Sequence, residues 1–180
     1  VYRVFVEKKK GNDIEAGQTL ADLRSNVGIT ALEDLRIINR YDAQGLTEDE
    51  FKQAVSQVFS EANLDNVCYE LSIPEDWKCF ATEYLPGQYD QRADSAAQCI
   101  QLLTAGERPV VASAKVIAVK GDITDEEFEK IKAYIINPVE SRVASMDLPE
   151  SLDIKADVPG DIVRLKGFIE KTDNEIAQLH

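Results

Sequence analysis

The sequence predicts an α+β fold of two layers, in which a strand–helix–strand–helix–strand unit occurs twice and the two copies pack as a pseudo-dimer. Two observations predict it: strand-like and helix-like stretches follow one another in the same order in both halves, and one helix start signal recurs 77 positions later, from Phe51 to Phe128. In each copy the helices can cover one face of a small sheet, which gives two layers. The predicted units are residues 1–72 and 77–146, followed by a linker-like segment with the start of a helix at 147–180.

The first copy begins with a strand candidate at residues 2–7, which is rich in β-branched and aromatic side chains. A turn signal at residues 10–13 precedes an amphipathic helix, because four apolar side chains recur there at helical spacing. These four are Ala16, Leu20, Leu23 and Val27. Alternating apolar and polar side chains then predict strands at 35–41 and 67–71, on either side of a second helix.

The second helix of the first copy has a complete start signal. Thr47 is the predicted N-cap, and Glu50 closes a capping box three residues later. Leu46 is placed to pack on Phe51 as a hydrophobic staple. In the second copy the same four roles fall to Ile123, Thr124, Glu127 and Phe128. Agreement at four positions is hard to ascribe to chance, so the sequence favours a duplication.

The second copy repeats the other elements at nearly the same distance, since Glu83 and Gly87 stand 76 positions after Glu7 and Gly11. Its predicted elements are a strand at 79–84, a helix at 89–103, a strand at 110–119, a helix that continues through 130–136 until Pro138, and a weaker strand at 139–146. The order of the strands in the sheet is not predicted by this pattern.

Composition and charge exclude several classes of function. The net charge of −13, from 33 acidic and 20 basic residues, argues against binding to nucleic acids and to anionic membranes. The basic run at residues 8–10 is interpreted as a solvated edge. No apolar run approaches the roughly 20 residues that a membrane span needs, and the first residues do not resemble a signal peptide. We therefore expect a cytoplasmic protein.

The residue types needed for most catalytic and metal sites are missing. The one histidine is His180, so neither a Ser-His-Asp triad nor a Cys-His pair can be assembled. The three cysteines, Cys68, Cys79 and Cys99, are widely spaced and are interpreted as buried, inert thiols. No glycine-rich phosphate loop occurs, and the acidic clusters lie in first helical turns, where the helix dipole favours them. The sequence predicts no catalytic, cofactor-binding or metal-binding residue.

Two polar segments, 88–95 and 137–142, are the remaining candidates for a functional surface. Asp90 alone would suffice to cap the helix that follows, which leaves Gln88, Gln91 and Arg92 without a structural purpose. Arg92 could make forked contacts to a carboxylate or phosphate. The alternative is a solvated helix start, with 137–142 as a helix stop and polar turn. The residues alone favour this alternative, because surface charge clusters are common.

Residues 84–99, Tyr-Leu-Pro-Gly-Gln-Tyr-Asp-Gln-Arg-Ala-Asp-Ser-Ala-Ala-Gln-Cys, form a long and specific motif. With residues 4–9 and 136–142, this motif resembles the amino-terminal region of the large, single-chain phosphoribosylformylglycinamidine synthases. The resemblance covers essentially the whole chain. Two departures are minor: Tyr89 stands where the family has Phe, and Val143 stands where it has an acidic residue.

The resemblance implies two fused copies of the small PurS subunit, in agreement with the duplication predicted from the pattern. It also implies that the full-length protein is an ATP-dependent glutamine amidotransferase ligase of purine biosynthesis. That enzyme converts formylglycinamide ribonucleotide, ATP and glutamine to the amidine, ADP, phosphate and glutamate. Its ATP- and Mg-binding synthetase domains and its glutaminase domain lie outside this region. The present region would bridge them and support the transfer of ammonia.

Given the resemblance, eight side chains become candidates for contacts to other domains or to the edge of the substrate. They are Gln88, Asp90, Gln91, Arg92, Asp94, Asn137, Glu140 and Arg142. The expected partners are the synthetase and glutaminase domains of the same chain, and self-association of the isolated region is left open. The chain is expected to be part of a longer protein, because a capping box at Thr172 and Glu175 starts a helix close to His180. The alternative function is a free-standing regulatory α+β domain that binds a small molecule where the two copies meet.

Overall fold

Six strands and four helices follow one another along residues 1–153, the part of the chain that the computed structural model describes. The strands are β1 (Tyr2–Lys8), β2 (Leu32–Gln44), β3 (Asp65–Cys68), β4 (Trp77–Tyr84), β5 (Val110–Gly121) and β6 (Ser141–Ala144). The helices are α1 (Ile14–Ser25), α2 (Glu48–Ala54), α3 (Gln91–Thr104) and α4 (Asp125–Ile135), and α2 continues into a π-helical turn, Val55–Phe59. The predicted α+β class is confirmed. The predicted helix start at Thr172 lies outside the described residues.

All six strands form one antiparallel sheet with the order β3-β1-β2-β5-β4-β6. The long strands β2 and β5 lie at its centre and pair from Leu32 opposite Gly121 to Gln44 opposite Val110. The short strands β3 and β6 form the two edges. Short edge strands limit the row of unpaired backbone groups that a sheet presents to other chains.

The four helices pack against one face of the sheet, as the two-layer prediction requires. Because side chains alternate along a strand, Leu35 and Tyr41 of β2 face the helices while Ile38 faces away. The predicted apolar stripe of α1 buries Ala16 and Leu23 against this face. The helices contribute further buried side chains to it, among them Phe51, Ala54, Ala96, Ile100 and Ile131. No helix within residues 1–153 is both long enough and apolar enough to cross a membrane.

The second face of the sheet combines apolar side chains with buried charge. Arg40 and Asp42 are only 5% and 2% exposed, and Arg40 Nε lies 3.3 Å from Asp42 Oδ2. Arg3 Nε also donates to Asp42 Oδ1, at 2.5 Å. Burial lowers the pKa of the Arg40 guanidinium from its ordinary value, and the charge of Asp42 opposes that effect. Arg40 Nη1 donates to the carbonyl of Ser145 at 2.6 Å, so this network holds the segment after β6 against the sheet.

Two predictions need correction. The third strand was expected over 67–71, but β3 ends at Cys68; the chain then leaves the sheet edge, and Leu71 packs on the second face. The prediction of buried thiols was wrong for Cys68 and Cys99, which are exposed, and Cys79 is only partly buried. Cys99 is exposed because the buried stripe of α3 runs through neighbouring positions, Ala93, Ala96, Ala97 and Ile100.

The two capping boxes predicted within residues 1–153 are confirmed. In the first, Glu50 N donates to Thr47 Oγ1 at 3.3 Å and Thr47 N donates to Glu50 Oε2 at 2.8 Å. In the second, the corresponding distances between Glu127 and Thr124 are 3.2 and 2.8 Å. The hydrogen bond from the threonine backbone lowers the pKa of each glutamate below its ordinary value.

We expect Thr124→Ala to lower the free energy of unfolding by about 1 kcal/mol, because it removes the hydroxyl that caps α4. Urea titration followed by circular dichroism measures this change. The matched control is Thr30→Ala, at an exposed position without a capping role, which should change stability by less than about 0.5 kcal/mol. An equal loss in both variants would contradict the capping role.

The pKa of Glu127 provides a test that depends on pH. Because its folded-state pKa is lowered, the capping box stabilises the fold above the ordinary glutamate pKa. That contribution is lost as the pH falls through the lowered value. A carboxyl titration by NMR should give a depressed midpoint in the parent chain and a midpoint closer to the ordinary value in Thr124→Ala. An unchanged midpoint in the variant would show that the Thr124 hydroxyl does not contribute to the shift.

Candidate functional site

The two polar segments predicted from the sequence lie side by side in the structure. Leu85 N donates to the carbonyl of Glu140 at 2.9 Å, and Gln88 Nε2 reaches the carbonyl of Val139 at 3.5 Å. Gly87 has a φ of +90° in the turn closed by Gln88 N and Leu85 O, a conformation that favours glycine. The turn before α3 and the turn before β6 therefore form one continuous surface.

Asp90 caps α3, as predicted, and also ties the helix to the sheet. Its Oδ1 accepts from Ala93 N at 2.9 Å. Its Oδ2 accepts from Ser113 Oγ at 2.8 Å and from Ser113 N at 3.2 Å. Ser113 lies on β5, so this one carboxylate fixes the start of α3 above the central strands.

Arg92 connects the start of α3 to the first half of the chain. Its Nη1 donates at 2.9 Å to the hydroxyl of Tyr41, a buried residue of β2, while the arginine side chain itself is exposed. Partial desolvation of the guanidinium beside Tyr41 would by itself lower the pKa of Arg92; the hydrogen bond to Tyr41 and the nearby charges of Glu15 and Asp90 outweigh it and raise the pKa. The guanidinium therefore stays charged.

Arg92 lies at the wall of a cavity of about 430 Å³, here called the central pocket. The pocket lies on the helical face over β4 and β5, and both halves of the chain line it. Its polar side chains include Glu15 and Thr19 from α1, Thr82 from β4, Arg92 from α3 and Lys115 from β5. Its apolar lining is made of Ile37, Ile117, Tyr134 and Ile135.

Of the eight predicted contact residues, Arg92 and Glu140 line the central pocket and the other six do not. Asp94 lies elsewhere on α3, where it accepts from Tyr89 Oη at 2.9 Å and pairs with Arg108; these two contacts lower its pKa. Arg142 lies on the second face, where its Nε donates to Glu83 at 2.9 Å. Gln88 and Asp90 make the contacts described above. Gln91 is exposed, and the carbonyl of Asn137 accepts from Ser141 N at 2.8 Å.

The pocket residues that come from the sheet and from α1 were not predicted from the sequence. Lys115 Nζ pairs with Glu15 Oε1 at 2.5 Å, across a separation of 100 positions. One signal was present: Ser113 and Lys115 are polar at positions of β5 that face the helices, where a strand covered by helices normally carries apolar side chains. Among residues 1–153, no group of three or more histidine, cysteine, aspartate or glutamate side chains is arranged to hold a metal ion.

Comparison of the chain with models of protein families gives no match, and comparison with curated proteins gives none either.

We expect Asp90→Ala to destabilise the fold by about 1 to 2 kcal/mol, because it removes both the cap of α3 and the bonds to Ser113. Gln91→Ala is the matched control, since Gln91 is the exposed neighbour of Asp90 at the helix start. It should leave stability within about 0.5 kcal/mol. Thermal and urea unfolding of both variants measure the difference, and similar stabilities would contradict the dual role of Asp90.

Proposed function

We propose that this chain is the non-catalytic amino-terminal region of a phosphoribosylformylglycinamidine synthase. The observation that carries the proposal is spatial: two segments on which the resemblance depends, 84–99 and 136–142, are contiguous in the fold although the chain separates them. Contiguity of this kind is expected of a surface that contacts other domains, because exposed polar groups on loops often serve binding.

We also propose that the fold is a PurS-like duplication packed as a pseudo-dimer, and the register of the sheet supports this. In the first half Val4 of β1 lies opposite Tyr41 of β2. Adding 76 to both numbers gives Phe80 and Ile117, which lie opposite each other in β4 and β5. The two ladders therefore have the same register.

The same shift of 76 positions relates the outer strand pairs, β1 with β3 and β4 with β6. Phe5 lies opposite Cys68 in β1 and β3, and adding 76 to both gives Ala81 opposite Ala144 in β4 and β6. At the centre of the sheet Asn39 lies opposite Lys115, and these two residues are themselves 76 positions apart. An approximate twofold axis beside this pair would exchange the halves, as the axis of a symmetric dimer exchanges subunits.

Under this proposal the region bridges the glutaminase and synthetase domains of its own chain and supports the passage of ammonia between them. The surface formed by Gln88, Arg92 and Glu140 is the proposed contact, with the other predicted residues around it. ATP and Mg would bind in the synthetase domains, outside residues 1–180. Coupling through such a contact would affect glutamine-dependent turnover most, because free ammonia bypasses the glutaminase.

The alternative is a free-standing regulatory domain that binds a small molecule where the two copies meet. The central pocket favours this alternative, because its lining comes from both copies and its volume of about 430 Å³ is within the usual range for small-molecule sites. It predicts stabilisation by a metabolite and no role in transferring ammonia.

We expect Arg92→Ala, made in the full-length gene product, to lower glutamine-dependent formation of the amidine several-fold more than ammonia-dependent formation. The ratio of the two rates at saturating ATP is the measurement. Lys52→Ala, at an exposed ion pair on α2, is the control and should leave the ratio unchanged. Equal loss of both activities in Arg92→Ala would contradict a coupling role, and a full-length product without this activity would refute the proposed function.

A further inference from the structure

Each half of the chain passes over the second face of the sheet after its last strand. Residues 69–76 follow β3 and are called here the first strap; residues 145–152 follow β6 and are called the second strap. The straps share a sequence pattern, in which two apolar side chains separated by one residue precede Pro-Glu. The apolar pair is Leu71 and Ile73 in the first strap, and Met146 and Leu148 in the second.

The apolar pair holds the first strap on the sheet but not the second. Leu71 and Ile73 pack against the buried apolar cluster of the second face. Met146 and Leu148, by contrast, are 40% and 53% exposed. The second strap therefore needs other contacts to stay on the sheet.

Two arginines of the sheet bind the start of the second strap. Arg40 donates to the carbonyl of Ser145, as described above. Arg3 donates to the next two carbonyls, from Nη1 to Met146 at 2.7 Å and from Nη2 to Asp147 at 3.0 Å. Three successive carbonyls of the strap thus accept hydrogen bonds from guanidinium groups.

The far end of the second strap is also bound by a side chain. Leu152 N donates to Gln44 Oε1, on β2, at 2.7 Å. Within residues 1–153, no hydrogen bond joins the backbone of this strap to the backbone of the sheet. Side chains therefore make the hydrogen bonds that hold the strap in place.

The residues of the sheet beneath the straps differ in a matching way. The floor under the second strap consists of charged residues, Arg3, Arg40 and Asp42, and Asp42 pairs with both arginines. The equivalents of these three residues, 76 positions later, are Cys79, Val116 and Ala118. Cys79 and Val116 belong to the apolar cluster on which the first strap packs. An apolar floor under one strap thus corresponds to a charged floor under the other.

We propose that the second strap is releasable, and that Arg3, Arg40 and Asp42 form the latch that holds it. When the first strap leaves the sheet, its apolar pair and the floor beneath become exposed to water, which is unfavourable. When the second strap leaves, water replaces its carbonyls as the acceptors for the two arginines, so the net cost is small. The second strap therefore opens locally while the sheet stays folded.

Release of the second strap changes the place at which the chain leaves the sheet. With the latch closed, the strap ends beside Gln44 of the central strand β2. With the latch open, the chain leaves the sheet after Ala144, on the edge strand β6, which lies three strands away from β2. The latch thus acts as a conformational switch for the path of the chain after β6. This inference does not depend on the proposed function.

Limited proteolysis of the 180-residue chain with a glutamate-specific protease tests the proposal, because both straps contain glutamate. The sites are Glu70 and Glu75 in the first strap and Glu150 in the second. The rate at each site, measured by mass spectrometry and divided by the rate for a free peptide of the same sequence, reports the population of the open strap. We expect a normalised rate at Glu150 at least about tenfold higher than at Glu70 or Glu75. Equal normalised rates in the two straps would overturn the proposal.

Variants of each strap's contacts test the latch. Arg3→Ala should accelerate cleavage after Glu150 at least about fivefold and change cleavage after Glu75 by less than about twofold. Arg3→Lys keeps the charge but lacks the planar fork, so it should give a smaller acceleration. Leu71→Ala is the matched control, because it removes an apolar contact of the first strap. It should accelerate cleavage after Glu75 and not after Glu150.

The ratio of the two cleavage rates separates the latch from a general loss of stability, which would accelerate cleavage in both straps alike. An unchanged rate at Glu150 in Arg3→Ala, or equal acceleration in both straps, would overturn the latch. Circular dichroism confirms that each variant is folded, and Arg3→Lys provides the comparison if Arg3→Ala does not fold. None of these measurements involves synthase activity, so their failure would leave the proposed function standing. A full-length product without synthase activity would equally leave the strap and its latch standing.

Discussion

The antiparallel pairing of β2 with β5 is the constraint on which the rest of the fold depends. These are the longest strands of the sheet. Strands β1 and β3 lie on the outer side of β2, and strands β4 and β6 lie on the outer side of β5. Because side chains alternate along a strand, a slip of β2 by one residue against β5 would turn Leu35 away from the helices and bring Arg36 and Arg40 under them. The ladder also sets the distance from α1 to α3, and hence the width of the central pocket.

Much of the fold could be predicted from the sequence because its signals are local. The capping boxes at Thr47 and Thr124 depend on four consecutive residues each, and both were placed correctly. The helical stripe of α1 and the alternation of β2 likewise depend on near neighbours. Strand order could not be predicted in this way, because it depends on contacts between residues such as Ile37 and Ile117, which are far apart in the chain.

The candidate site was predicted only in part, for a related reason. Residues 84–99 stood out because several polar side chains are concentrated there, and that signal led to Arg92 and Glu140. Lys115 and Glu15 were missed, since each is unremarkable among its own neighbours and they meet only across the sheet. Arg142 was predicted as a contact residue together with Arg92 because it lies in the polar segment 137–142. The alternation of β6 places it on the second face of the sheet, opposite to the central pocket. Proximity along the chain thus indicated one region of the surface and did not distinguish the two faces of the sheet.

The π-helical turn Val55–Phe59 compensates for a difference in chain length between the two halves of the sheet. The helix starts at Thr47 and Thr124 differ by 77 positions, whereas the strands before and after them differ by 76. Asp122 accounts for the additional residue in the later half, and the wide turn in the earlier half absorbs one in return, since a π turn is a single-residue insertion in a helix. The two length changes cancel, so the strands that follow are again 76 positions apart. The strands on either side of this interval keep the common offset of 76, and α1 and α3 differ in length as well, with 12 and 14 residues.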